Sequence, residues 1–409
     1  MNNNNLKQAA YIAVGSLFAL LILAIYYYKE RVIFMDASYI LFQIINDGQH
    51  AIQENRFGSF ITHLVPFLFG KLNMPIKTII IGYTLSFNLF YLAIISIMVF
   101  KLREYALAIL MSFYYLLMVS DTFYWSNNEV HQGIAWMFLT MALLQYGAIN
   151  KTNSFMQVAI LFMLGFLAIS SHLLVTMPFA FLFFYIFFDK NQNHFTLKEK
   201  IILPLVLLGL IFIKYRLSLI QNYDGQKLLL IDKLSLNDIS YYINQEFGLH
   251  FIKSCTKEYW LTSLLFLIGL ISLIRTKKWG LCFLTVMGCF SYYTFMCITF
   301  SNTGTYEKFH IESEWMGLGI IAATPFVFEF LNLTNKRIAV YALIIISIIR
   351  ISYIIEASEK FKLRLQTSEN IMDAMKRKGI TKLAINENPE LEHIYMLDWS
   401  LEEESLLLS

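Results

Sequence analysis

The chain has 409 residues, of which 57% are hydrophobic, 16% aromatic and only 15% charged, with a formal net charge of +3. Soluble globular proteins carry roughly 25% charged residues, so this chain has too few charges to cover its own surface in water. A mean hydropathy of +0.56 points to lipid as the main solvent, and the small net charge with scattered basic residues excludes a secreted, disordered or nucleic-acid-binding protein.

After a polar start, an apolar run covers 9–28 and is followed by Lys29-Glu30-Arg31 with no small-residue cleavage site. It is longer than a signal-peptide core, which predicts an uncleaved first span. Within 36–73 the sequence predicts two helices lying in the membrane interface. The first runs from Asp36 to Ile45 and is stopped by Asn46-Asp47-Gly48; the second covers Phe57 to Leu72, with Arg56 and His63 nearby. Further apolar segments at 78–100, 105–119, 131–149, 155–170, 173–188, 201–218, 259–275, 279–299, 315–331 and 338–355 raise the expected number of transmembrane helices to about eleven.

Lys7, Lys101, Arg103, Lys151, Lys190, Lys198, Lys200, Arg275, Lys277, Lys278, Lys336 and Arg337 fall in one set of alternate, short connections. The positive-inside rule places those connections and the N-terminus in the cytoplasm, and the longer, mixed-charge loops with the C-terminus outside. The tail reads as a charged helix from Glu359 to Lys378, stopped by Gly379, and then a short strand from Thr381 to Ile385. The expectation is an all-α polytopic membrane domain over 1–355 and a small extracytoplasmic α/β cap over 356–409. No internal repeat is visible, which argues against an inverted-repeat transporter.

Ionisable groups at the outer surface are the first candidates for chemistry, because charge near lipid is costly unless used or paired. Asp36 suits a general base that deprotonates a hydroxyl, and it equally suits an N-cap of the helix it opens. The loop from Ser120 to Gly133 combines Asp121, Glu129 and His131 with Phe123, Tyr124 and Trp125 and contains no Lys or Arg. Aromatic faces beside amides and carboxylates suit sugar binding, and the same residues suit an interfacial aromatic belt. His172, Lys214, Arg216 and Arg350 lie towards the outer ends of their segments, where they either hold a phosphate or snorkel to the interface. The segment from Thr305 to Trp315, with His310 and Glu314, faces the same site or forms a solvated turn. Cys255, Cys282, Cys289 and Cys297 lack metal-ligand spacing and read as buried thiols. No phosphate loop, zinc pair or nucleophile elbow is present.

A cytoplasmic N-terminus, an acid at Asp36 just after the first span, a first outer loop of two interfacial helices, about eleven spans and an outer C-terminal region resemble the C-type (GT-C) membrane glycosyltransferases. The resemblance implies a polyprenyl-phosphate sugar donor and a glycan, lipid or protein acceptor at the outer face of a bacterial cytoplasmic membrane. It also implies Asp36 as general base and His172, Arg216 and Arg350 as phosphate ligands. Many members pair two acids at the first position, whereas Ala37 follows Asp36 here, so no cofactor is implied and divalent-metal use is open. Three alternatives remain: a polysaccharide polymerase or ligase using the 219–258 loop, a transporter or lipid flippase that makes no glycosidic bond, and a non-enzymatic assembly component of a cell-surface machine.

Overall fold

A backbone in lipid must satisfy its own polar groups, and this chain does so with helices. The computed structural model describes residues 4–220, 225, 238–300, 307–383 and 389–409. Among these residues no strand forms. The helices are α1 Asn4–Tyr26, α2 Tyr28–Val32, α3 Met35–Asp47, α4 Phe60–Lys71, α5 Ile76–Ser96, α6 Tyr105–Tyr114, α7 Glu129–Ile149, α8 Ser154–Ser171 and α9 Thr176–Phe188. There follow α10 Leu197–Ile220, α11 Asp238–Ile243, α12 Glu246–Lys257, α13 Trp260–Arg275, α14 Trp279–Thr299, α15 Lys308–Pro325, α16 Lys336–Lys378, α17 Pro389–Tyr395 and α18 Leu401–Leu408.

Every apolar segment expected to cross contains a helix, but not every helix is long. Among the described residues, eight are long and apolar enough to cross a membrane, or nine if α12 and α13, bent by 82°, count as one broken span. Tyr105–Tyr114 and Leu173–Phe188 are shorter. The faces turned outward match lipid: α10 leaves Leu205, Phe212 and Ile220 exposed. This is a multi-pass α-helical membrane protein.

Two details differ from the sequence expectation. The last span and the charged tail helix are one continuous helix, α16, whose 43 residues reach about 64 Å at 1.5 Å per residue. It ends where expected, with Gly379 left-handed at φ +62°. The tail beyond it folds back as α17 and α18, so the described cap is helical. Of the expected strand, residues 381–383 are irregular and 384–385 lie outside the described residues, as do 221–224, 226–237 and 301–306 in two other connections.

Both helices expected in the first outer loop form, as α3 and α4. Gly48, at φ +61°, closes α3. Asp36 is not its N-cap: Phe34 occupies that position and Asp36 lies in the first helical turn, with no capping hydrogen bond from a side chain.

Candidate functional site

The residue before Asp36 sets up its position. Met35 is buried and left-handed, at φ +48°, a conformation that costs a side-chain-bearing residue roughly 1–2 kcal/mol. This turn between α2 and α3 carries Asp36 into a cavity of about 370 Å³. The cavity also gathers Arg56 from the loop before α4, Trp125, Asn128 and Glu129 from the start of α7, His172 from the junction of α8 and α9, and His310 and Glu314 from the start of α15. Leu397 and Trp399 of the tail complete a wall.

The polar contacts within it are direct. The Trp125 indole N–H donates to Asp36 Oδ2 at 2.9 Å, and the Trp125 ring stacks on His310 at 5.9 Å. Arg56 Nη1 donates to Glu129 Oε2 at 3.0 Å, and His310 Nδ1 lies 3.1 Å from Glu314 Oε1. His172 accepts the Leu174 N–H through Nδ1 at 3.2 Å. Burial raises the Asp36 carboxyl to about 7, and the Glu129 carboxylate pushes the same way against the Trp125 hydrogen bond and Arg56. A carboxyl poised there can both take and return a proton near neutral pH.

Of the residues singled out in the sequence, Asp36, Trp125, Glu129, His172, His310 and Glu314 converge, whereas Asp121, His131, Lys214, Arg216 and Arg350 lie outside this cavity. Asp121 and Arg350 line a separate cavity of about 470 Å³ with Lys257, Glu258, Tyr259, Lys308 and Lys360. There Asp121 pairs with Lys360 and Lys308 with Glu258. Arg350 donates to Leu116 O at 3.0 Å, Val119 O at 3.0 Å and Glu258 O at 2.9 Å. Helix α6 stops at Tyr114, and the carbonyls it leaves at 116–119 have little access to water. Arg350 supplies donors there, so it holds an interrupted backbone in place. Nearby, Glu312 accepts from the backbone N–H groups and hydroxyls of Ser120 and Thr122, fixing the same turn.

His131 is buried in the first turn of α7. Its Nδ1 meets the Tyr114 hydroxyl at 2.8 Å, and it faces an internal void of about 30 Å³ shared with Arg31, about the space of one water. Arg31 itself is spent on the Thr84 hydroxyl, the Asn88 amide oxygen and Phe123 O. Arg216 is exposed on α10 and lines none of these cavities.

Sequence reading passed over Arg56 as a partner in the Asp36 cavity. It was visible only as a base in an apolar stretch, because its carboxylate partner lies 73 positions away. His310 and Glu314, whose segment the sequence leaves between facing this site and a solvated turn, line the cavity, and their i and i+4 spacing puts them on one helix face. At the opposite end of the bundle, Lys278 bridges the buried Asp189 at 2.9 Å and Glu329 at 2.6 Å. Among the described residues no cluster of His, Cys, Asp or Glu has the geometry of a metal site. Comparisons with known protein families, curated proteins and solved structures find no match.

Proposed function

We propose that this chain is a membrane glycosyltransferase that moves a sugar from a polyprenyl-phosphate donor to a lipid, glycan or protein hydroxyl. Asp36 takes the acceptor proton, the Arg56 guanidinium opposes the charge of the departing phosphate, and the neutral His172, whose Nδ1 accepts a backbone N–H, offers it an Nε2–H donor. The observation that carries this reading is the meeting of Asp36, Glu129 and His172, from three remote stretches, in one cavity of small-ligand size. Arg56 and His172 take the phosphate-facing role that the sequence had suggested for Arg216 and Arg350. Trp125 and Trp399 supply ring faces for a pyranose.

Eleven crossings belong to the same proposal, and the side-chain contacts support that count by parity. Asp36 and Glu129 end on one side only if Tyr105–Tyr114 crosses between them. Asp189 and Lys278 meet only if the bent pair α12 and α13 crosses. His172 and His310 then share a side only if Leu173–Phe188 crosses as well. With eleven crossings the basic connections fall on the Lys278 side, the cytoplasm of a bacterial inner membrane, and the Asp36 cavity and the tail face outward.

The test is donor turnover by the full chain in nanodiscs supplied with polyprenyl-phosphate hexose and cell-envelope lipids and glycans, reading released polyprenyl phosphate and labelled product. Wild type yields both, and Asp36→Asn yields neither while remaining folded. Full activity in Asp36→Asn removes the mechanism, and donor movement across the bilayer with no new glycosidic bond replaces it with transport.

A further inference from the structure

The tail touches the strained turn that carries Asp36. Glu404 of α18 is almost wholly buried, and its Oε1 accepts the Met35 N–H at 2.9 Å. The same carboxylate is gripped from behind: Arg364 Nη2 donates to Oε1 at 2.8 Å, Arg364 Nη1 donates to Oε2, and the Ser400 hydroxyl donates to Oε1 at 2.7 Å. Arg364, in the outer half of α16, also donates to Ile33 O at 3.2 Å and Tyr395 O at 3.1 Å. One bidentate ion pair therefore ties α16, the tail and the turn entering α3 together at the residue before Asp36. Trp399, five residues before Glu404, packs edge-on against Tyr39 of α3 at 5.5 Å and lines the Asp36 cavity.

A left-handed Met35 has no steric reason to stay so. Its N–H is buried, and the acceptor it uses comes from 369 positions away. We propose that Glu404 is a positioning residue for Asp36: it anchors the Met35 N–H, holds the turn in its left-handed form and thereby aims the Asp36 carboxylate at Trp125 and the cavity. The tail is then a part of the site rather than an appendage. This rests on Asp36 being the acting group, so its test reads Asp36 without requiring transfer.

The readout is the Trp125 indole N–H, which donates to Asp36. In full-length protein carrying ¹⁵N-tryptophan in nanodiscs, six tryptophans give the indole resonances, and Trp125→Phe identifies the one of interest. Glu54, Arg56, Glu129, His172, His310 and Glu314 line the same cavity, so the titration step belonging to Asp36 is the one that Asp36→Asn removes. Glu404→Ala is expected to lower the midpoint of that step by about one pH unit or more, as Asp36 swings into water. Glu404→Gln keeps an oxygen for the Met35 N–H and is expected to retain most of the wild-type midpoint.

Both substitutions leave Arg364 equally uncompensated, so equal shifts in the two would reduce Glu404 to a distant charge and overturn the proposal. No shift in either also overturns it. Should Glu404→Ala fail to fold, Ser400→Ala decides: it removes one donor to the same oxygen, and a smaller shift in the same direction supports the anchor while an unmoved midpoint contradicts it. If these shifts appear but no donor is ever turned over, the anchor stands and the glycosyltransferase reading falls.

Discussion

Two neighbouring cavities use the same kinds of residue for opposite ends. Around Arg350 the charges are spent: the guanidinium goes to three carbonyls, Asp121 to Lys360, and Lys308 to Glu258. Around Asp36 the flanking charges are paired as well, Arg56 with Glu129 and His310 with Glu314, but Asp36 itself accepts from the neutral Trp125 indole, and its carboxyl sits near neutrality because burial and Glu129 oppose its ionisation. A buried charge in a membrane protein is therefore not a functional residue by virtue of burial. What separates the two regions is what holds the acid at the centre, a lysine cation for Asp121 and a neutral indole N–H for Asp36.

That contrast breaks most sharply at its two centres. Asp36→Asn is expected to lower transfer by about 10²-fold or more, the scale of a lost general base, with detergent stability unchanged. Arg350→Met is expected to do the reverse: leaving buried carbonyls without donors costs about 3 kcal/mol, seen as a lowered unfolding midpoint, while the surviving folded protein keeps its donor affinity.

Finer changes tune Asp36 rather than remove it. On the proposed mechanism transfer needs the ionised carboxylate, so the rate is expected to rise with pH through about 7. Glu129→Gln removes a charge that raises this value and is expected to move the limb to lower pH. Trp125→Phe removes the indole N–H that stabilises the carboxylate and is expected to move it to higher pH, by a smaller amount; pH–rate profiles of both variants show the two signs. Arg216→Gln, on the exposed face of α10, is expected to leave turnover within about twofold of wild type, the ordinary result for a surface change.

The helical segments were legible in the sequence because lipid permits few backbone solutions, and every expected span contains a helix. The unequal lengths were not: a hydropathy window cannot tell that α6 stops at Tyr114 and passes its carbonyls to Arg350, which lies 234 positions from Leu116. For the same reason Arg350 looked like a ligand-binding base. Asp36, Glu129 and His172 could be picked out because each sits where an apolar run meets a polar turn. The Arg56 partner, the Met35 turn and the Glu404 anchor rest on contacts between distant residues, and nothing in their own neighbourhoods announces them. The tail was the least legible part: of the strand expected over 381–385, residues 381–383 are irregular and 384–385 lie outside the described residues, while burying Glu404 against Arg364 packs α18 on α3.

The most direct measurement is photolabelling of the full chain in nanodiscs with a polyprenyl-phosphate sugar bearing a photoreactive group on the sugar, followed by peptide mapping. The account predicts label on the segments around Met35–Asp36, Trp125–Glu129, His310–Glu314 and Leu397–Trp399. Label confined to Lys257–Tyr259 and Arg350–Lys360 would place the sugar in the other cavity and contradict it.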